Sequence, residues 1–228
     1  MANYVICHGA WSGGWSWKKV RELLNSAGHE VVTPTYTGLG ERAHLAHPMI
    51  DLETHIQDVL GAIQYEDLRD FILVGHSYGG MVVTAVADRV PERVRHLVYL
   101  DAFVPGDGQS LASLAGKGHP AASIDEWLIA PNPPSPDTST EDLAWIMPRR
   151  RHQPARCFSQ PVRLTGGSAP SFPRTYVHCT SKIGNDVFRQ FADRFRDDHA
   201  WSFHAMDASH SPNITAPEAL AALLLALA

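Results

Sequence analysis

A serine between two glycines is the first group in this sequence that could do chemistry. Residues 75–79 read GHSYG, a G-x-S-x-G pattern that follows the apolar run 71–74 and precedes a helical pattern over 81–90. A strand-turn-helix of this kind places the serine at the apex of a strained turn, where small flanking residues relieve crowding. Its oxygen then projects at the top of the sheet, beside a helix N-terminus that favours a developing anion. The pattern predicts Ser77 as a nucleophile.

A serine hydroxyl needs a base before it can attack a carbonyl carbon. Of the 13 histidines, His210 is the best placed, because the segment DASH (207–210) lies between the last predicted strand and the final helix. The order along the chain, nucleophile first and histidine last, is typical of hydrolases with this layout. We therefore predict His210 as the general base.

Two backbone N–H groups are candidates for stabilising the negative oxygen of a tetrahedral intermediate. The segment His8-Gly9-Ala10 follows the first predicted strand, and Gly9 allows the backbone to approach a substrate carbonyl closely. We predict that the N–H groups of Ala10 and Tyr78 form this oxyanion hole.

The acid that would orient the histidine has two candidates. Asp101 directly follows the apolar run 97–100. Because charged side chains are rarely buried, one at the end of a buried strand usually has a specific role there. Asp186 heads the segment VFRQFADRF, where it could instead serve as the N-cap of a helix. We predict Asp101 as the acid and keep Asp186 as the alternative.

Strands and helices that could position these residues alternate along much of the chain. Six short apolar runs predict strands at 4–7, 29–33, 71–74, 97–100, 175–179 and 201–206. Their continuous apolar character predicts a sheet that is covered on both faces. Helical patterns fall between them, at 20–27, 52–63 and 81–90, and a last helix follows Pro217. The alternation predicts an α/β fold with a mostly parallel sheet flanked by helices.

The alternation stops between residues 105 and 174. This stretch is rich in proline and contains two helical pieces, at 124–130 and 141–147. It is too long for an ordinary loop. Insertions after the carboxyl ends of parallel strands lie over the place where α/β sheets bind ligands. We therefore predict a core formed by 1–104 and 175–228, and a lid formed by 105–174.

Composition excludes several classes of protein. A length of 228 residues suits one domain, and a net charge of −5 disfavours nucleic acid as a partner. Three cysteines do not make a disulfide framework, and the N-terminus lacks a secretory signal, which together predict a cytoplasmic protein. The apolar run 219–228 is too short to span a membrane. His44 and His47 lack the neighbours of a metal site, so no metal is predicted.

Four segments resemble the α/β-hydrolase superfamily: HGAWSGGWSW, VGHSYGGMVV, LVYLDAFVP and HSPNITAPEAL. More narrowly, they resemble its small esterase branch, which contains plant methylesterases, hydroxynitrile lyases and bacterial hydrolases of pyrethroid and carbamate esters. The resemblance covers nearly all of 1–104 and 175–228. It implies Ser77 as nucleophile, His210 as base, and Ala10 and Tyr78 as oxyanion donors. It also implies that neither a metal nor an organic cofactor takes part.

Departures from the family pattern discriminate within this branch. Hydroxynitrile lyases of the group carry Thr at the position of Gly9 and Lys directly after the catalytic histidine, where this sequence has Ser211. The charge that stabilises cyanide is therefore missing, and the sequence resembles the esterases instead.

The position of the acid also departs from much of the family. The acid usually lies within two or three residues of a Cys-Thr pair, but here Cys179-Thr180 is followed by Ser-Lys-Ile, without a carboxylate. Haloalkane dehalogenases place their acid on an earlier strand, in a setting similar to that of Asp101.

These observations predict a serine hydrolase that cleaves carboxylic esters through a Ser-His-Asp triad and an acyl-enzyme. The expected substrate is a small apolar molecule, either an aromatic or alkyl ester or a carbamate. The sequence does not decide the oligomeric state, and a homodimer is the candidate assembly. Two alternatives have different chemistry. One is a cofactor-independent lyase or dioxygenase on the same fold, and the other is a ligand-binding receptor without hydrolytic activity.

Overall fold

Six parallel strands form the main sheet, in the order Glu30–Val32, Asn3–Cys7, Phe71–His76, Val94–Leu100, Arg174–Cys179 and Ser202–Met206. The computed structural model describes residues 2–116, 126–165, 172–182, 184 and 186–228. The strands of the main sheet are β1 (Asn3–Cys7), β2 (Glu30–Val32), β3 (Phe71–His76), β4 (Val94–Leu100), β7 (Arg174–Cys179) and β8 (Ser202–Met206). A separate antiparallel pair consists of β5 (Leu128–Ile129) and β6 (Gln153–Pro154).

Helices connect the strands and cover both faces of the sheet. The α-helices are α1 (Lys18–Ser26), α2 (Leu52–Tyr65), α3 (Gly79–Arg89), α4 (Leu111–Leu114), α5 (Thr140–Ile146), α6 (Arg156–Ser159), α7 (Arg189–Phe195), α8 (Pro212–Thr215) and α9 (Pro217–Leu225). Buried side chains of α1 and α9 pack on one face, whereas those of α2, α3 and α7 pack on the other. Among the described residues, no helix is long and apolar enough to cross a membrane.

The strand order creates a crevice beside the carboxyl end of β1. The chain passes from β1 to β2 on one side and later returns to place β3 on the other side. In open parallel sheets, ligands bind where the order reverses in this way. The register pairs Cys7 with Gly75 at the ends of β1 and β3, so the loops that follow these two strands meet at the crevice. These loops carry Ala10, Ser77 and Tyr78.

The predicted α/β fold and all six predicted strands are confirmed, but two details of the prediction are wrong. The edge strands are not fully covered, since Glu30 on β2 and His204 on β8 are exposed. The flanking helices pack mainly over the middle strands, which leaves the edges open.

The second error concerns the helical piece predicted at 124–130. Residues 124 and 125 lie outside the described residues, and Leu128–Ile129 form strand β5. Pairing with Gln153–Pro154 from a distant part of the chain overrides the local helical pattern. The other helical piece, predicted at 141–147, is confirmed as α5.

Candidate active site

Ser77 lies in a sharp turn between β3 and α3. Its φ of 55° falls in the left-handed region that residues with a side chain rarely adopt. The strained turn is held from both sides, because the Ser77 amide donates to the Leu100 carbonyl oxygen (3.3 Å) and its own carbonyl accepts from the Phe103 amide (3.2 Å). Such strain persists only where the surroundings fix the backbone.

The two glycines of the pattern permit this turn sterically. A Cβ atom at Gly75 would lie 2.5 Å from Cγ2 of Val83, and one at Gly79 would collide with the carbonyl oxygen of Cys7. The absence of side chains therefore lets α3 begin directly against β1 and β3. This packing aims the Ser77 side chain into the crevice.

Three side chains form a hydrogen-bonded chain across the crevice. His210 Nε2 lies 3.0 Å from Ser77 Oγ, and His210 Nδ1 lies 2.6 Å from Asp101 Oδ2. Because an ionised carboxylate can only accept, Nδ1 carries the proton and Nε2 is left to accept from the serine hydroxyl. Residues that are 133 and 109 positions apart in the sequence thus meet in the geometry of a nucleophile, a base and an orienting acid.

Asp101 is completely buried at the end of β4. Its other oxygen, Oδ1, accepts from the Cys179 amide (3.2 Å) and from the Lys182 ammonium (2.7 Å). Burial alone would raise the pKa of this carboxyl, but its hydrogen bond and charge interaction with His210, followed by those with Lys182, hold the pKa below its ordinary value. The carboxylate therefore stays ionised next to His210.

Asp186, the alternative acid of the sequence analysis, does not contact His210. Its oxygens bind the Lys182 ammonium (2.6 Å) and His178 Nε2 (2.8 Å), and one also accepts from the Phe188 amide (3.0 Å). The ligand atoms of Asp101, His178 and Asp186 lie within 4.8 Å of one another, as in a metal site. The ammonium of Lys182 already bridges the two carboxylates, so the cluster is explained as an ion-pair network.

Aromatic rings on two sides hold the His210 imidazole. Phe188 stacks on it with a centroid distance of 4.8 Å and an interplanar angle of 12°. His76 lies on another side at 4.9 Å, and its Nε2–H donates to the His210 carbonyl oxygen (2.7 Å). Sequence reasoning missed Phe188, since a lone aromatic in a helical pattern carries no signal for this contact.

The two predicted oxyanion donors face the same cavity as Ser77. Among the described residues, the backbone amides of Ala10 and Tyr78 make no hydrogen bond. Free amides in an otherwise satisfied backbone are rare. These two N–H groups are therefore available to a ligand oxygen.

His8 fixes the orientation of the peptide that carries the Ala10 amide. Its Nδ1–H donates to the Gly9 carbonyl oxygen (2.8 Å), while its Nε2 accepts from the Tyr36 amide (3.3 Å). In a trans peptide the C=O and the following N–H point in opposite directions. A Gly9 carbonyl held by His8 therefore turns the Ala10 N–H towards the opposite side.

Trp11 joins this loop to residues of the segment 105–174. Its amide donates to Gln153 Oε1 (3.0 Å), its indole Nε1–H donates to the Ile129 carbonyl (3.0 Å), and its own carbonyl accepts from the Arg151 amide (3.1 Å). The φ of Trp11 is 60°, so this residue, like Ser77, lies in the left-handed region. Three hydrogen bonds thus fix this backbone position next to Ala10.

Three histidines around the crevice are buried and neutral. Burial lowers the pKa of His8 to about 4, and it lowers those of His55 and His76 to about 3. His55 accepts from the Tyr78 hydroxyl through Nδ1 (2.8 Å) and donates to the Thr37 carbonyl through Nε2 (3.1 Å). The bond from the Tyr78 hydroxyl needs the neutral ring, because a charged imidazole has no acceptor nitrogen.

These histidines make the folded state sensitive to acid. The unfolded chain takes up their protons near pH 6.5, whereas the folded chain resists until pH 3–4, so stability falls as pH drops through this window. We expect the free energy of unfolding in urea to decrease by a few kcal/mol between pH 7 and pH 4.5. His55→Gln should flatten this dependence, whereas the exposed control His44→Gln should not. Stability that is constant over this range would contradict the prediction.

A cavity of about 610 Å³ opens in front of Ser77. Its lining combines the polar groups of the crevice with apolar side chains. Residues 105–174 contribute apolar side chains, among them Leu111, Ile129, Pro133, Ile146 and Phe158, and the charged side chain of Arg150. Volumes of this size suit small organic ligands. The site is therefore a cavity with a serine, a histidine and two free amides at one wall.

Comparison with known proteins shows which family this chain belongs to. The sequence profile of the Alpha/beta hydrolase family matches residues 4–223. The chain belongs to the Alpha/beta hydrolase family. This α/β-hydrolase is 41% identical, over 100% of both chains, to a carbendazim hydrolyzing esterase from Nocardioides sp. (strain SG-4G). It is an enzyme of the esterase type, as the sequence predicted.

Two further relatives match the α/β-hydrolase over nearly the whole chain. Salicylic acid-binding protein 2 from Nicotiana tabacum is 25% identical, covering 99% of this chain and 96% of its own. An extracellular alpha/beta-hydrolase from a Paenibacillus species superposes with a TM-score of 0.82 at 25% identity, covering 99% of this chain and 98% of its own. Because that relative is extracellular, the cytoplasmic location of this chain stays a prediction. The homodimer also stays a prediction.

Proposed function

We propose that this α/β-hydrolase cleaves carboxylic esters with Ser77 as nucleophile, His210 as general base and Asp101 as the orienting acid. The observation that carries the proposal is the unbroken chain of hydrogen bonds, 3.0 Å from Ser77 to His210 and 2.6 Å from His210 to Asp101. Such an arrangement activates a hydroxyl that is otherwise a weak nucleophile.

The reaction proceeds in two halves through an acyl-enzyme. His210 Nε2 takes the hydroxyl proton as Ser77 Oγ attacks the ester carbonyl carbon, and the amides of Ala10 and Tyr78 hold the resulting oxyanion. The intermediate collapses with cleavage of the ester C–O bond, and the alcohol leaves with the proton from His210. Water then attacks the acyl-enzyme in the same way, which releases the acid and restores the hydroxyl.

We further propose that residues 105–174 act as the lid of a core formed by 1–104 and 175–228. The described part of this segment supplies one wall of the cavity and is tied to the core through Trp11. Its apolar side chains favour a small apolar acyl or alcohol group. The relative that hydrolyses carbendazim supports a small organic ester or carbamate as the substrate class.

The test is a panel of p-nitrophenyl esters of rising acyl length together with matched N-alkyl carbamates. We expect hydrolysis of the short and medium esters, with a fall once the acyl chain exceeds what the cavity holds. A p-nitrophenyl phosphonate should stop the reaction and add one phosphonyl group, which peptide mass spectrometry should locate on Ser77.

The panel also separates the two rival functions. A lyase or dioxygenase would convert its own substrate class without releasing p-nitrophenol from the esters, and a receptor would bind the esters without turnover. Absence of both p-nitrophenol release and the Ser77 adduct would refute the esterase proposal.

A further inference from the structure

Lys182 lies between two carboxylates behind the hydrogen-bonded chain of the active site. Its ammonium is 2.7 Å from Asp101 Oδ1 and 2.6 Å from Asp186 Oδ1. Only 12% of the side chain is exposed, and the residue also contributes to the cavity that contains Ser77. Charged side chains are rarely buried to this degree unless they are paired.

The two carboxylate oxygens of Asp101 bind different partners. Oδ2 faces His210 Nδ1, and Oδ1 faces Lys182 and the Cys179 amide. The carboxylate plane is therefore held from the side opposite to His210. The Lys182 ammonium also lies 5.2 Å from the centre of the Phe188 ring, which stacks on His210. Lys182 thus supports both groups that orient the base.

We propose that Lys182 is a positioning residue for the hydrolytic reaction: it fixes the Asp101 carboxylate towards His210 and balances the paired negative charges of Asp101 and Asp186. The inference rests on the proposed function, because it assigns Lys182 a role in that same triad.

Within the described part of the chain, the titratable and charged groups that face this cluster come from four strands and the loops that follow them. Asp101 directly follows β4, His178, Tyr176 and Cys179 lie on β7, Lys182 and Asp186 follow β7, His76 ends β3, and His210 follows β8. Burial raises the pKa of Tyr176 and of Cys179, and it lowers that of His76, so these three groups are uncharged near neutral pH. Apart from His178, which is hydrogen-bonded to Asp186, the charges that face His210 are two carboxylates and one ammonium.

Removal of the ammonium leaves two adjacent carboxylates without a counter-charge. The uncompensated negative charge then makes the cluster take up a proton more readily, so activity is lost at a higher pH. For Lys182→Met, we expect the acid limb of the kcat/KM profile to move upward by roughly one pH unit. We also expect kcat on the plateau to fall roughly 10- to 100-fold, because Asp101 Oδ1 loses one of its two anchors.

Two further variants separate charge from packing. Lys182→Arg keeps a cation at this position and should restore the wild-type acid limb. The double variant K182M/D186N removes one positive and one negative charge, so its acid limb should return to the wild-type position while its kcat stays low. Profiles are measured with p-nitrophenyl acetate from pH 5 to 9, and far-UV circular dichroism at each pH verifies that the variants are folded.

Each outcome decides for or against the inference. A folded Lys182→Met enzyme with an unchanged acid limb overturns it, as does an equal limb shift in Lys182→Arg. Failure of the proposed function is distinguishable, because the wild-type enzyme would then neither hydrolyse the ester nor react with the phosphonate. In that case the assignment of Lys182 is refuted together with the triad.

Discussion

Ser77→Ala is expected to lower kcat/KM for a p-nitrophenyl ester by roughly 10⁴- to 10⁶-fold, with KM nearly unchanged. The variant removes the oxygen that carries the acyl group in the proposed mechanism, whereas the cavity and the amides of Ala10 and Tyr78 remain. Residual activity above the uncatalysed rate should therefore persist, since bound water can still react beside the oxyanion donors. Alanine occupies the left-handed turn about as well as serine, so the fold should survive.

The measurement is steady-state hydrolysis, with mass spectrometry after phosphonate treatment. Ser135→Ala is the matched control, because Ser135 lines the same cavity but belongs to the segment 105–174 and not to the hydrogen-bonded chain. The control should keep its activity within about threefold and should still be labelled. A Ser77→Ala enzyme with appreciable turnover would support the alternative of a lyase or dioxygenase mechanism.

Asp101→Asn is expected to lower kcat by roughly 10³- to 10⁴-fold. An asparagine retains the shape, but its amide cannot stabilise the imidazolium that forms when Ser77 gives up its proton. It also places an uncharged group against Lys182, which was 2.7 Å from a carboxylate oxygen. The effect should therefore appear in kcat more than in KM.

Asp186→Asn is the matched control for this substitution. It changes the other carboxylate that binds Lys182 but leaves the contact of Asp101 with His210 intact. Its kcat at pH 8 should stay within about tenfold of wild type. If Asp186→Asn proves the more damaging of the two, Asp186 is the acid in solution, and the assignment of Asp101 is wrong.

Much of this architecture was accessible from sequence because the signals are local. Each strand of the main sheet is a short apolar run, and Ser77 stands in a pattern that only a tight strand-to-helix turn requires. The strand β5 was missed because its partner, Gln153–Pro154, lies far along the chain, and local propensity does not report such a pairing.

The choice between Asp101 and Asp186 needed three-dimensional information. Both residues follow strands whose carboxyl ends reach the same edge of the sheet, so sequence spacing alone does not show which one meets His210. Lys182 was overlooked for a related reason. It occupies the segment after Cys179-Thr180, where much of the family carries a carboxylate, and its significance comes from the two carboxylates that it bridges.

The three hydrogen bonds of Trp11 have a consequence for protein engineering. They join the loop that carries the Ala10 amide to Ile129, Arg151 and Gln153 of the proposed lid. Exchanging that lid for one from a relative, in order to change substrate range, would also remove the partners that hold the oxyanion loop. A chimaera should therefore be designed with position 11 and its three contacts transferred as one module.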